Sequence, residues 1–189
     1  MSCINPSGNY YKTMKSNIAL IGFMGTGKTV VGMALAKRLR WRLVEIDLVI
    51  EQIAGRSIPD IFLYDGEIHF RELEIAAIKK VAGGEKQVIA CGGGAVLNNI
   101  NIDRLRESSV IVNLTAAPEI ILKRTSEAEG SRPLLNVENP AERIEQLMEF
   151  RKPCYARAAD FTINTSKLNV DAVTNKIINR LKNHEGFNL

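Results

Sequence analysis

The sequence predicts an α/β fold of three layers, in which a five-stranded parallel sheet lies between two layers of helices. Short apolar runs alternate along the chain with longer segments of helical periodicity. This alternation favours a parallel sheet, because strands that are joined through helices run in the same direction. The first three apolar runs also end in glycine or in an acidic residue. Ligands of such sheets bind beyond the carboxyl ends of the strands, so these ends are the candidate site.

The predicted strands are short and mostly apolar, as expected for strands that are covered on both faces. They are Asn17–Gly22, Trp41–Ile46, Gln87–Cys91, Val110–Leu114 and Phe161–Asn164. The predicted helices carry apolar residues three or four positions apart. They cover residues 29–39, 47–54, 67–82, 99–107, 118–127, 141–150 and 170–182. Gly55 and Gly83 follow two of these helices as stop signals, and Ser57 can cap a further helical turn.

Composition limits the class of protein. A chain of 189 residues fits one domain. With 46% hydrophobic and 24% charged residues, disorder of the whole chain is excluded. No apolar run is long enough to span a membrane.

The net charge of +4 suits an anionic ligand but does not indicate nucleic acid. Three widely spaced cysteines form no disulfide framework and favour a reducing, cytoplasmic location. We expect residues 1–16 to be a disordered polar arm and residues 184–189 to be a tail.

The segment Gly22–Thr29, GFMGTGKT, matches the phosphate-binding pattern G-x-x-x-x-G-K-[ST] between a predicted strand and a predicted helix. Glycines let backbone N–H groups surround phosphate oxygens, and the helix N-terminus adds positive potential. Lys28 is expected to contact the β- and γ-phosphates, and the Thr29 hydroxyl to bind Mg²⁺. The predicted nucleotide contacts in this region are Gly25, Thr26, Gly27, Lys28, Thr29 and Val30.

Asp47 and Arg71 each allow two interpretations. Asp47 follows the second strand and could be a helix N-cap. Next to the phosphate-binding loop, it could instead orient or deprotonate a substrate hydroxyl. Arg71 and Glu74 lie one helical turn apart in FRELE, and this spacing alone favours a surface ion pair. Alternatively, Glu74 holds the Arg71 guanidinium toward a substrate carboxylate.

Three later features carry the same ambiguity. Gly92, Gly93 and Gly94 follow the third strand and either form a hinge or let a ligand lie against the backbone. That strand lacks the terminal Asp of most nucleotide-hydrolysing P-loop proteins, which speaks against an ATPase motor or a GTPase. Arg132 is either an exposed loop residue or part of a flap over the γ-phosphate. Arg151 either stabilises a helix C-terminus or provides a second cation for an anionic substrate.

In this order and spacing, the segments GFMGTGKT, E-I-D, FRELE, GGG, SRPLL and R-K-P-x-Y resemble the motifs of the shikimate kinase family. The resemblance implies a P-loop kinase fold similar to that of the nucleoside monophosphate kinases. It implies one domain, 17–183, with a substrate-binding segment at 47–83 and a lid at 123–140. It further implies phosphoryl transfer from MgATP to the 3-hydroxyl of shikimate. We expect a monomer without nucleic-acid or membrane partners.

The resemblance also assigns roles to individual residues. The residues that match catalytic residues of the family are Lys28, Asp47 and Arg132. Thr29 matches the residue that binds magnesium, and Arg124 matches a residue that stacks near adenine. The residues that match shikimate contacts are Asp47, Arg71, Glu74, Gly92, Gly93, Gly94 and Arg151.

Two positions depart from the family pattern. Glu45 stands where the family usually has an aspartate that serves the metal through water, and the segment 166–170 lacks a proline that often packs against adenine. Two other functions stay open at this point. One is a gluconate-type small-molecule kinase, and the other is a nucleotide-binding regulator without catalytic activity.

Overall fold

The computed structural model describes residues 14–127, 133–135 and 137–187. The strands in these ranges are β1 (Asn17–Ile21), β2 (Arg42–Glu45), β3 (Gln87–Ala90), β4 (Ser109–Thr115) and β5 (Phe161–Asn164). The α-helices are α1 (Lys28–Leu39), α2 (Ile46–Ala54), α3 (Ile58–Tyr64), α4 (Gly66–Ala82), α5 (Asn99–Ser108), α6 (Pro118–Ser126), α7 (Pro140–Ala158) and α8 (Val170–Lys182).

The strands form one parallel sheet in the order β2-β3-β1-β4-β5, so the predicted three-layer fold is confirmed. Side chains of β1, the central strand, alternate between the two faces of the sheet. Ala19 and Ile21 pack in a cluster with residues of α2, α3, α4, α5 and α7. Ile18 and Leu20 pack on the other face against α1 and α8. Burial on both faces explains why β1 is mostly apolar, whereas the edge strands β2 and β5 are partly exposed and carry more polar residues.

Local sequence signals set several helix ends as predicted. Ser57 caps α3, because its Oγ accepts a hydrogen bond from the N–H of Asp60 at 3.3 Å. Helix α2 ends at Gly55, which has a left-handed φ of 66°. These two signals separate α2, which directly follows β2, from α3.

Helix α7 is longer than predicted. The prediction ended it at Phe150, whereas the helix continues through Pro153 to Ala158. Proline has no N–H to donate to the carbonyl of Glu149, which weakens a helix at that point. Beyond the proline, however, Tyr155 and Ala158 are buried in the cluster against the sheet. This tertiary packing stabilises a helix that local propensity would end.

The C-terminal residues 184–187 also differ from the expectation of a tail. The ring of Phe187 is buried, with its centroid 6.1 Å from that of Trp41. The N–H of Lys15 donates to the carbonyl of Gly186 at 2.8 Å. Residues 1–13 of the predicted arm, and Arg132 in the predicted lid, lie outside the described residues. In the described ranges, no helix has both the length and the apolar character needed to cross a membrane.

Candidate active site

The loop between β1 and α1 curls around the N-terminus of α1. Gly22 has a φ of 142°, and a Cβ there would lie 2.2 Å from the carbonyl oxygen of Leu114. Only glycine fits this position. Gly27, with a φ of 94°, is the N-cap of α1, and the helix begins at Lys28. The first N–H groups of a helix have no partners within the helix, so this end of α1 can bind an anion.

Lys28 and Thr29 lie at the start of α1 as the motif predicts. The Nζ of Lys28 donates to the carbonyl oxygens of Gly22 at 2.8 Å and Phe23 at 2.9 Å. The hydroxyl of Thr29 donates to Oε2 of Glu45 at 3.0 Å. Glu45 at the end of β2 therefore reaches the loop directly.

This hydroxyl and carboxylate are hard oxygen donors, the type that Mg²⁺ prefers. Among the described residues, no group of three or more His, Cys, Asp or Glu side chains could hold a metal by itself. Mg²⁺ is usually held by one or two carboxylates together with substrate phosphates and water. Thr29 and Glu45 fit a magnesium site of that kind, in which a nucleotide supplies further ligands.

A cavity of about 350 Å³, which we call the loop cavity, opens over this loop. The predicted nucleotide contacts that line it are Gly25, Gly27, Lys28, Thr29, Val30 and Arg124. Thr26 is the exception, because its side chain is buried and its hydroxyl donates to the carbonyl of Phe23 at 2.7 Å. The Thr26 side chain therefore stabilises the turn and does not face the cavity.

Arg124 on α6 is held in the wall of the loop cavity by main-chain and side-chain oxygens. Its Nη1 donates to the carbonyl of Gly25 and to the hydroxyl of Thr165, both at 3.1 Å, and its Nη2 donates to the carbonyl of Thr165 at 3.2 Å. The Thr165 hydroxyl is also 3.1 Å from the carbonyl oxygens of Thr26 and Thr115. Thr165, which sequence reasoning missed, thus connects the loop to Arg124.

Arg71 on α4 is held by two carboxylates. Its Nη1 donates to Oε2 of Glu74 at 3.0 Å, and its Nη2 donates to Oε1 of Glu67 at 2.9 Å. Glu74 is 0% exposed, so the interpretation as a surface ion pair is wrong. Glu67 was not predicted, although its spacing of four residues from Arg71 is a recognisable signal for a helical pair.

Burial and charge shift the pKa values of this pair. Desolvation raises the pKa of Glu74 above its ordinary value, although neighbouring Arg71 acts in the opposite direction. Burial by itself lowers the pKa of Arg71, but Glu74 and Glu67 outweigh this effect and the net shift is upward. The Arg71 guanidinium is therefore fully charged and fixed in position, which suits it to bind an anion.

The glycines after β3 lie directly against charged side chains. A Cβ on Gly94 would lie 2.4 Å from Nη1 of Arg71. A Cβ on Gly92 would lie 3.0 Å from both Oδ1 of Asp47 and Oε1 of Glu74. Gly92 and Gly94 therefore let these side chains approach the backbone closely, and a mobile hinge is not needed to explain them.

Arg151 lies within α7 and not at its end, because the helix continues to Ala158. The prediction that it stabilises a helix C-terminus is therefore wrong. Its side chain is buried, and its Nη1 donates to the carbonyl of Gly93 at 3.3 Å. The guanidinium carbon lies 5.7 Å from the ring centroid of Phe23, within the range of a cation–π interaction.

A second cavity of about 360 Å³, which we call the arginine cavity, contains both cations. Its charged and apolar lining includes Arg71, Arg151, Glu74, Ile58, Phe62, Phe70 and Leu134. The two cavities share Met24, Asp47, Gly92 and Gly93. Asp47 lies in the first turn of α2, whose N-cap is Glu45, so the N-cap interpretation of Asp47 is wrong. Its carboxylate instead lies between an anion-binding loop and two arginines.

A family model described as "SKI: Shikimate kinase" matches residues 24–182. The chain belongs to the shikimate kinase family. This confirms the resemblance seen in the motifs, and membership makes the chain an ATP-dependent kinase. A curated shikimate kinase from Caldanaerobacter subterraneus subsp. tengcongensis is 46% identical over 162 residues, which cover 86% of this chain and 94% of the relative.

Solved structures agree with this membership. A shikimate kinase from Acinetobacter baumannii in complex with shikimate has a TM-score of 0.86 at 34% identity, covering 90% of this chain and 95% of that chain. A gluconokinase from Sinorhizobium meliloti has a TM-score of 0.62 at 18% identity, covering 90% of this chain and 94% of that chain. The second similarity shows a common fold alone.

Proposed function

We propose that this chain transfers the γ-phosphate of ATP to the 3-hydroxyl of shikimate, giving ADP and shikimate 3-phosphate. The observation that carries this proposal is that the loop cavity and the arginine cavity meet at Asp47. A nucleotide bound at the N-terminus of α1 would extend its terminal phosphate toward this boundary. A small cyclic acid in the arginine cavity would bring its hydroxyls to the same place.

The roles of the acid-binding residues follow from their chemistry. Arg71 and Arg151 bind the carboxylate, while Phe62 and the side chains around it cover the ring. A neutral sugar would offer no carboxylate to Arg151, which is buried and forms no salt bridge within the described residues, and this disfavours a neutral sugar strongly. Glu74 maintains the position of Arg71, and the three glycines provide a surface that a ring can approach closely.

Positioning and charge neutralisation dominate phosphoryl transfer. Asp47 accepts the hydrogen bond of the 3-hydroxyl, aligns its oxygen for attack and takes its proton. Lys28 and the N–H groups of α1 neutralise the charge of the transferred phosphate. Thr29 and Glu45 are the residues that would hold Mg²⁺, which, when bound, neutralises charge on the phosphates. The role of Arg132 at the γ-phosphate stays a prediction from the family resemblance.

An assay of ADP release, coupled to NADH oxidation, tests the proposal with shikimate and gluconate as separate acceptors. We expect ATP-dependent and Mg²⁺-dependent turnover with shikimate and background rates with gluconate. Turnover of gluconate alone would favour the gluconate-type kinase. Binding of ATP without turnover on either acceptor would favour the regulator.

The proposal includes a cytoplasmic monomer. Cys91 and Cys154 are free thiols, and burial raises the pKa of Cys91 to about 12. Free thiols agree with a reducing compartment.

Size-exclusion chromatography with light scattering tests the proposed monomer, for which we expect the mass of one chain.

A further inference from the structure

The carbonyl oxygen of Gly93 accepts hydrogen bonds from two side chains of α7. Arg151 donates through Nη1 at 3.3 Å, and Tyr155 donates through its hydroxyl at 2.5 Å. The two donors lie one helical turn apart, so they meet the same acceptor from the same face of the helix. The shorter of the two bonds comes from a residue to which the proposed mechanism gives no part.

Arg151 depends on this carbonyl more than Arg71 depends on any single partner. Arg71 is held by Glu67 and Glu74. Arg151, in contrast, forms no salt bridge with any residue in the described part of the chain. Its side chain bonds to the Gly93 carbonyl and lies over the ring of Phe23, and it also interacts with the Tyr155 hydroxyl and with the charge of Glu74. A buried cation that forms no salt bridge with the described residues is suited to bind a carboxylate from a ligand.

We propose that Tyr155 is a positioning residue for the acid substrate, because its hydroxyl fixes the Gly93 carbonyl that in turn orients the Arg151 guanidinium in the arginine cavity. The inference rests on the proposed function, since the carboxylate that Arg151 receives is that of shikimate. The side chain of Tyr155 is buried among the residues that pack α7 against the sheet. Tyr155 acts through Gly93 and Arg151.

The chemistry of the phenol supports this role. Burial raises the pKa of Tyr155, although the positive charge of Arg151 acts in the opposite direction. The hydroxyl therefore stays protonated and can donate throughout the usual assay range. The Gly93 carbonyl accepts hydrogen bonds from both side chains, so it links the position of the Tyr155 hydroxyl to that of the Arg151 guanidinium. A donor that stays protonated and an acceptor that both side chains share favour one orientation of Arg151.

Tyr155→Phe tests the inference, because it removes the hydroxyl and keeps the buried ring. We expect the KM for shikimate to rise about tenfold, equivalent to about 1.4 kcal/mol, with the KM for ATP changed by less than about twofold. Direct titration of shikimate by calorimetry should show the same loss of affinity. An unchanged shikimate KM, or an equal rise in both KM values, would overturn the inference.

Thr165→Val is the matched control, since it also deletes one buried hydroxyl, but on the nucleotide side. It should raise the KM for ATP and leave that for shikimate nearly unchanged. If both variants instead raise the shikimate KM equally, general loosening of the fold explains the effect and the positioning role of Tyr155 is overturned.

A double-mutant cycle with Arg151→Lys tests whether Tyr155 acts through Arg151. We expect Tyr155→Phe to change kcat/KM for shikimate much less in the Arg151→Lys background than in the wild type. Additive effects would overturn the proposed route through Arg151. Wild-type enzyme that fails to phosphorylate shikimate would remove the proposed function together with this inference. Wild-type turnover with an unchanged Tyr155→Phe variant would remove the inference alone.

Discussion

The substitution Gly94→Ala tests how the position of the Arg71 guanidinium affects the binding of shikimate. Gly94 has a φ of −99°, which alanine adopts without strain. The new Cβ, however, would lie 2.4 to 2.6 Å from three atoms of the Arg71 guanidinium. The backbone therefore tolerates the substitution, whereas the guanidinium has to move.

The size of the effect follows from these distances. Non-bonded heavy atoms prefer separations of about 3.5 Å, so a guanidinium 2.4 Å away must shift by roughly 1 Å. Such a shift breaks or stretches the bond from Arg71 to Glu74, which measures 3.0 Å, and misaligns the donors that face the substrate carboxylate. Loss of one charge-assisted hydrogen bond costs about 2 kcal/mol, which corresponds to about a thirtyfold rise in the KM for shikimate.

Steady-state kinetics with each substrate varied in turn measures this effect. Gly83→Ala is the matched control, because Gly83 has a φ of −79° and nothing lies within 4 Å of an added Cβ. We expect Gly83→Ala to behave as wild type, and Gly94→Ala to stay folded and keep its KM for ATP. A folded Gly94→Ala enzyme with a shikimate KM within about twofold of wild type would refute the reasoning, because the predicted displacement would then be without consequence.

Three other substitutions probe the remaining charges. Asp47→Asn should lower kcat by roughly 100-fold with unchanged circular dichroism, because it removes the proton acceptor; a near-normal kcat would contradict that role. Glu45→Gln should raise the Mg²⁺ concentration for half-maximal ADP release about tenfold, and an unchanged requirement would separate Glu45 from the metal. Because the pKa of Glu74 is raised above 4.5 in the fold, wild-type stability falls as pH rises from 4.5 through the raised value. Urea unfolding should therefore show Glu74→Gln gaining stability relative to wild type as the pH rises from 4.5 through the raised pKa; a difference independent of pH would count against a raised pKa.

The phosphate-binding loop could be predicted because its signal is local. The residues that wrap the N-terminus of α1 are contiguous, and Gly22 and Lys28 occupy fixed places in a short pattern. The place of Asp47 near this loop could also be predicted, because the carboxyl ends of parallel strands meet at one edge of the sheet.

Tyr155 is the tyrosine of the R-K-P-x-Y run, but neither its contact nor that of Thr165 could be predicted from the sequence. Tyr155 bonds to the carbonyl of Gly93, 62 residues away, and Thr165 bonds to that of Thr26, 139 residues away. A main-chain carbonyl belongs to every residue and leaves no mark on the sequence. Only the packing of α7 and the order of the strands brings these groups together. The same packing stabilises α7 beyond Pro153, although local helix propensity predicts an earlier end.

The boundary between the loop cavity and the arginine cavity has a practical consequence for ligand design. The cavities share Met24, Asp47, Gly92 and Gly93, so they adjoin each other, and two of the residues between them have no side chain. One molecule could therefore extend from the phosphate end to the guanidinium end through a short covalent tether. Once one half of such a compound has bound, the other half is held at a high effective concentration next to its own cavity. The tethered compound should therefore bind far more tightly than either fragment.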